Sequence, residues 1–248
     1  MSSNPLWRTP PDDFMLPEDQ VHVWRARLNL PEAEVEGLRA FLTEEELRKA
    51  NRFHFPEHRR HFTVARGTLR RLLGGYLGES PGDIRFLYNP YGKPFLDTSL
   101  RFNLSHSGEM ALYAFTHNRE VGIDIEWVRR GIEDGEQIAK RFFSPGEVET
   151  FLGLPAPLRK TAFFNGWTRK EAYIKARGKG LSIPLDQFEV TLAPGSAARL
   201  LATRDDPQNA TRWMMRALAP GEDYIATLVV EGPPCEIRYW TEPATATN

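Results

Sequence analysis

The chain has 248 residues, 41% of them hydrophobic, and balances 32 Lys and Arg against 33 Asp and Glu. That length can bury a substantial core, and the near-neutral charge argues against a protein that grips nucleic acid mainly by counterion release. The single cysteine, Cys235, excludes an internal disulfide and a cysteine-rich metal site.

Residues 1–19 are rich in proline and acid and are expected to form an arm that lies on the surface or stays disordered. There is no apolar signal segment and no later run of membrane-spanning length, so the expectation is a cytoplasmic protein without a membrane or nucleic-acid partner. Val21–Ala26 reads as the first strand. Pro31 opens a short helix, and Thr43-Glu44-Glu45-Glu46 has the form of a capping box that starts the next, ending near Arg52. From Arg48 to Arg71 there are eight basic residues and one acid, Glu57, with Phe62, Ala65, Leu69, Leu72, Leu73 and Tyr76 forming a helical core face. In a chain of net charge −1 this concentration points to an anionic ligand.

Ile84–Tyr88 is the next expected strand. Asn89-Pro90-Tyr91-Gly92-Lys93-Pro94 has the residues of a tight turn, with Lys93 at its tip. Phe102–Gly108 and a strand over Ala111–Phe115 follow. Ser105-His106 invites a nucleophile and base, yet neighbours on an extended chain point to opposite faces and no third member is evident.

Val121-Gly122-Ile123-Asp124-Ile125-Glu126 alternates with the period of a half-buried strand. Val121, Ile123 and Ile125 face a core, so Asp124 and Glu126 project together, about 7 Å apart. Such carboxylates repel unless a cation or water intervenes. Gly122 leaves room for something beside them. Further on, Ser144-Pro145-Gly146-Glu147 is a second capping box. A longer helix over Leu158–Arg177 has Phe163, Trp167 and Ile174 as its apolar stripe, with Glu171 and Lys175 one turn apart on an edge. Phe188–Leu192, Trp213–Leu218, Tyr224–Val230 and Glu236–Trp240 read as strands, and residues 241–248 as a disordered tail.

The order of elements runs twice. Arg52-Phe53 corresponds to Arg141-Phe142-Phe143, the segment from Ala65 to Arg70 to that from Thr168 to Tyr173, and the segment from Gly108 to Ala114 to that from Gly221 to Thr227. Two similar α+β halves are expected, residues 20–118 and 119–240, meeting where ligand clefts commonly form. The first supplies cations and the second carboxylates. Asp124, Glu126 and Glu171, with no thiolate or paired histidine nearby in sequence, describe a hard-cation site, and magnesium is usually held by few carboxylates plus substrate phosphates. Lys175 adds a point charge suited to a pyrophosphate. No glycine-rich G-x-x-x-x-G-K-[ST] loop is present to suggest another nucleotide chemistry.

Four motifs in order, Tyr91-Gly92-Lys93-Pro94, Asn103-Leu104-Ser105-His106-Ser107, Gly122-Ile123-Asp124-Ile125-Glu126 and the run from Trp167 to Lys175 followed by Gly178-Lys179-Gly180-Leu181, resemble those of the surfactin-synthetase-activating type of 4′-phosphopantetheinyl transferase. The resemblance implies an α+β monomer of two similar α/β-sandwich halves related by a pseudo-twofold axis, with coenzyme A between them. It also implies transfer of phosphopantetheine to a serine of an acyl or peptidyl carrier protein. By motif, Asp124, Glu126 and Glu171 would hold magnesium, Glu171 or a metal-bound water would take the serine proton, and Lys175 would steady the pyrophosphate. Lys93, Ser105 and His106 would lie at the 3′-phosphate, while Lys49, Arg52, Lys170 and one arginine of residues 59–66 would also meet coenzyme A. Phe151, Leu152 and Leu154 are candidates to dock the carrier. A relative that binds coenzyme A or a carrier without catalysis is the alternative.

Overall fold

The computed structural model describes residues 7–11, 15–131, 134–204 and 207–243. Its first half opens with strand β1 (Gln20–Arg27) and continues through helices α1 (Glu32–Arg39), α2 (Glu44–Asn51) and α3 (Pro56–Leu77). The Thr43 capping box is present in full, its hydroxyl taking the Glu46 N–H while the Glu46 carboxylate takes the Thr43 N–H. A hairpin of β2 (Leu87–Tyr88) and β3 (Pro94–Phe95) then leads to β4 (Leu100–Ser107) and β5 (Met110–His117). Only the last two residues of the strand expected over Ile84–Tyr88 pair, because Asp83 and Ile84 finish a 3-10 turn.

The second half repeats this plan. Strand β6 (Val121–Trp127) is followed by α4 (Gly135–Phe142), α5 (Pro145–Gly153) and α6 (Ala156–Arg177), then the small hairpin β7 (Phe188–Val190) and β8 (Leu200–Thr203), and finally β9 (Trp213–Leu218) and β10 (Tyr224–Glu231). The sheets run β1-β5-β4 and β6-β10-β9, the same order in each half. Helices α3 and α6 both have 22 residues and both stop at a glycine with left-handed backbone, Gly78 at φ 68° and Gly178 at φ 65°.

Strand β11 (Glu236–Thr241) crosses back and pairs in parallel with β1, so these residues complete the first sheet although they follow the second half in sequence. Residues 241–243, expected to begin a disordered tail, have a defined place in the fold. Thr241 belongs to β11, and the buried Glu242 carboxylate pairs with Arg71 at 2.6 Å; residues 244–248 lie outside the described part. Of the expected N-terminal arm, Arg8 runs beside Trp240 and Leu16 is buried, while residues 1–6 and 12–14 are likewise outside.

The core has three layers. Helix α3 covers the first sheet through Leu69, Leu73, Phe102 and Tyr113. The two sheets face each other through Val21, Val23, Leu112, Ile123, Ile125 and Leu228. Helix α6 covers the second sheet through Ala172, Tyr173, Ala176 and Val229. The architecture is the expected α+β pair of sandwich halves. No helix among the described residues is long and apolar enough to cross a membrane.

Candidate active site

Gly122, Asp124 and Glu126 share the β6 face that α6 covers, and Gly122 sets how closely the helix approaches. A Cβ there would stand 2.1 Å from Ala172 O and 2.4 Å from Ala176 N. The space that glycine leaves is therefore filled by the helix backbone. One turn of α6 then delivers Glu171 and Lys175 beside Asp124.

The other wall of the site is β4. Strands β4 and β6 are edge strands of different sheets and meet through side chains instead of a backbone ladder. Asn103 Oδ1 accepts from Ile123 N at 2.8 Å, Ser105 Oγ donates to Asp124 Oδ1 at 3.0 Å, and Ser107 Oγ donates to Glu126 Oε2 at 3.0 Å while accepting from Trp127 N. Every second residue of Asn103-Leu104-Ser105-His106-Ser107 thus points across the seam. Asn103 and Ser107 are members of the site that the sequence reading left without a role, although the two-residue period contained the signal.

Lys175 Nζ stands 2.6 Å from Asp124 Oδ1 and 2.9 Å from Ser105 Oγ. Asp124 Oδ2 is buried with no hydrogen-bond partner. Burial, then Asp124, and then Glu126 push the Glu171 carboxyl above the ordinary carboxylate range, against an opposing pull from Lys175. Among the described residues no three His, Cys, Asp or Glu side chains form a finished metal cage. The donor set nonetheless fits a hard cation: a buried carboxylate oxygen lacks a partner, and the neighbouring carboxyl group feels its repulsion.

His106 points to the opposite side of β4 from Ser105, as expected for neighbours on a strand. It lines a cavity of about 330 Å³ with Lys49, Phe53, Phe62, Arg66 and Tyr88. Burial, then His61, Lys175 and His58, hold its imidazole below the usual range, so an anion there would favour the charged form. A second cavity, of about 530 Å³, shares Lys49, Arg66 and Tyr88 and adds Arg70 and Arg85. Of the arginines in residues 59–66, Arg66 is the one at these cavities. Arg60 instead pairs with Glu32, and Arg59 faces a groove between α1 and α3. Arg52 is exposed and lines neither.

Four expectations need correction. Lys170 does not reach the site: its ammonium is fully buried in the second half, 2.7 Å from Glu147 Oε2 and bonded to the carbonyls of Leu185 and Phe188. It lies on the flank of α6 opposite Glu171's cleft because adjacent helical residues diverge by about 100°. The large positive excess of Arg48 to Arg71 is also mostly neutralised. Five of its arginines pair with acids outside the stretch: Arg48 with Glu44, Arg60 with Glu32, Arg66 and Arg70 with Glu46, and Arg71 with Glu242. Phe151, expected as a docking candidate, is instead buried in the core of the second half, with Leu152 and Leu154 half-buried against the same cluster. Lys93 does not project from its turn either; its ammonium is folded inward onto Glu120.

Two family profiles cover most of the molecule, the 4′-phosphopantetheinyl transferase superfamily over residues 120–229 and the 4′-phosphopantetheinyl transferase N-terminal domain over residues 29–118. The 4′-phosphopantetheinyl transferase HetI of Nostoc sp. is 42% identical over 239 residues, 94% of this chain and 97% of that one. The chain belongs to the 4′-phosphopantetheinyl transferase family. The transferase Sfp of Bacillus subtilis is 34% identical over 165 residues, 66% of this chain and 72% of its own. A solved holo-[acyl-carrier-protein] synthase of Thermotoga maritima aligns with 46% of this chain and 64% of its own, at 26% identity and a TM-score of 0.36.

Proposed function

We propose that this transferase moves 4′-phosphopantetheine from coenzyme A to a serine hydroxyl of an acyl or peptidyl carrier protein and releases adenosine 3′,5′-bisphosphate. The observation that carries the reading is the seam between β4 and β6. There Asp124, Glu171, Lys175 and Ser105 converge beside a cavity bearing Lys49, Arg66 and His106. Carboxylates for a cation and cations for a phosphate thus stand on opposite sides of one strand.

In this reading the nucleotide end of coenzyme A lies against Lys49, Arg66 and His106, with Tyr88 and Phe62 offering aromatic surface to the base. Asp124, Glu126 and Glu171 would hold magnesium, which when bound polarises a phosphoryl oxygen and neutralises charge on the departing phosphate. Ser105 and Ser107 fix the orientation of Asp124 and Glu126. Glu171 would accept the proton of the carrier serine as that oxygen attacks phosphorus. Lys175 presents its ammonium at the same point and offsets negative charge in the transition state. One chain supplies both walls of the site, which favours a monomer, and the single cysteine favours the cytoplasm. The halves are read as residues 20–118 and 119–240, with β11 returning to the first sheet.

The test is the intact mass of an apo carrier protein incubated with this protein, coenzyme A and magnesium, with and without a chelator. A gain of about 340 Da, the covalent mass of one phosphopantetheine, that disappears with chelator is expected. No gain on acyl and peptidyl carriers alike, with coenzyme A still bound, would overturn the reading.

A further inference from the structure

Lys93 lies at the crossing of α6 over β6. Its Nζ donates to Glu120 Oε2 at 2.8 Å, to Val121 O at 3.2 Å and to Ala176 O at 3.2 Å. An ammonium has three N–H bonds, and all three are used within the protein. The side chain is 14% exposed. Each acceptor belongs to a different kind of element: Val121 O opens the carboxylate strand, Ala176 O is one of the last carbonyls of α6, which have no partner inside the helix, and Glu120 precedes the strand.

The turn that holds Lys93 is itself fixed to the same helix end. Asn89 Oδ1 accepts from Tyr91 N and Lys93 N, both at 2.9 Å, which closes the turn, and Asn89 Nδ2 donates to Gly178 O at 2.6 Å. A Cβ on Gly178 would meet the Asn89 side chain at 3.1 Å and the Lys93 stem at 3.2 Å. Two carbonyls at the C-terminus of α6, from Ala176 and Gly178, are therefore gripped by one turn from the first half of the molecule.

This grip sits beside the reacting groups. Ala176 directly follows Lys175, and Val121 is three residues before Asp124, so the offset of helix against strand decides whether Lys175 reaches Asp124 at 2.6 Å. Gly122 allows the close approach, but a glycine contact limits distance without fixing sliding. The hydrogen bonds from Lys93 to Val121 O and Ala176 O are directional and tie strand and helix to one ammonium.

We propose that Lys93 is a positioning residue that locks the register of α6 on β6, and with it the placement of Glu171 and Lys175 against Asp124, and that it makes no essential contact with the nucleotide. The inference rests on the transferase reading above, and wild-type transfer measured alongside separates the two. Without wild-type transfer the activity reading fails, whereas wild-type transfer with the variant results below reversed overturns the role of Lys93 alone.

The experiment measures kcat and KM for coenzyme A, direct binding of coenzyme A by calorimetry, and thermal stability for Lys93→Met, Glu120→Gln and Asn89→Ala. The expected result for Lys93→Met is a kcat lowered by about tenfold or more, since small misplacements of reacting groups are costly, with coenzyme A affinity kept within about twofold. Glu120→Gln and Asn89→Ala remove other parts of the same brace and should lower kcat in the same direction while leaving affinity unchanged. A phosphate-contacting lysine would behave oppositely. Coenzyme A affinity would fall by about tenfold or more in Lys93→Met, and Glu120→Gln, which removes the competing carboxylate charge, would tighten binding. That pattern overturns the proposal. If Lys93→Met does not fold, Glu120→Gln and Asn89→Ala decide by the same split: lower kcat with unchanged affinity supports it, and unchanged kcat overturns it.

Discussion

Lys175 and Asp124 form an ion pair at 2.6 Å that uses only one of the two Asp124 oxygens, and the other is buried with no partner. A cation held at Oδ2 would satisfy that oxygen without displacing Lys175. Asp124→Asn is expected to lower kcat/KM by about 100-fold or more and to abolish any rise in melting temperature on adding magnesium. Lys175→Met should lower kcat by about 100-fold yet retain magnesium-dependent stabilisation. A thermal-shift titration of magnesium against both variants checks this independently of activity.

Gly122→Ala should damage both stability and catalysis. The new methyl carbon would fall 2.1 Å from a helix carbonyl oxygen, which no side-chain rotation relieves. Lifting α6 from β6 should cost about 3 kcal/mol or more and separate Lys175 from Asp124. Chemical denaturation would read the first effect and residual transfer the second. A variant with wild-type midpoint would contradict the packing described.

Lys170 and Glu147 are fully buried partners. Lys170→Met alone leaves a buried carboxylate whose pKa burial already raises, and should destabilise by about 3–5 kcal/mol. The paired change Lys170→Met with Glu147→Gln should recover part of that loss, because it removes the unpaired buried charge while the amide oxygen can still accept from a backbone N–H of the Ser144 cap or of Val190. Where Lys170→Met remains folded, calorimetry should find coenzyme A affinity unchanged, in contrast to a residue that meets the ligand.

His22 supplies an acid limb to the stability curve. It is buried against Tyr76, whose oxygen accepts from Trp24 Nε1 at 2.7 Å and whose proton can go to His22 Nδ1 at 2.8 Å, a chain that suits neutral imidazole. Burial, with Arg238 adding to it, lowers the His22 pKa from 6.5 to about 4. The folded state therefore binds this proton less readily than the unfolded chain. Stability from this group is present in full above about pH 6.5 and is lost as pH falls through about 4, by about 3 kcal/mol in total. His22→Gln should flatten the melting temperature between pH 6.5 and 4 relative to wild type. Parallel curves would refute the assignment.

The placement of the candidate site's residues was legible in the sequence because it is carried by short periodic patterns. Alternation over residues 121–126 put Asp124 and Glu126 on one face, and helical spacing put Glu171 and Lys175 on one edge. Both capping boxes were legible for the same reason, since a cap joins residues three apart. The doubled order of elements foretold the matching sheets, β1-β5-β4 and β6-β10-β9.

What only the tertiary structure decided are the partners of long charged side chains. Lys170 and Lys175 lie on one helix, yet the first is taken by Glu147 and the second by Asp124, because the helix packs one flank into the core and the other into the cleft. Arg66, Arg70 and Glu46 are separated by helix ends, so no local spacing reveals that they pair. Lys93 looks like the tip of a solvent-facing turn until α6 and β6 arrive beneath it. Local period fixes which face a side chain takes; which distant backbone carbonyl or carboxylate meets it depends on how whole elements pack, and that is set by contacts between residues tens of positions apart.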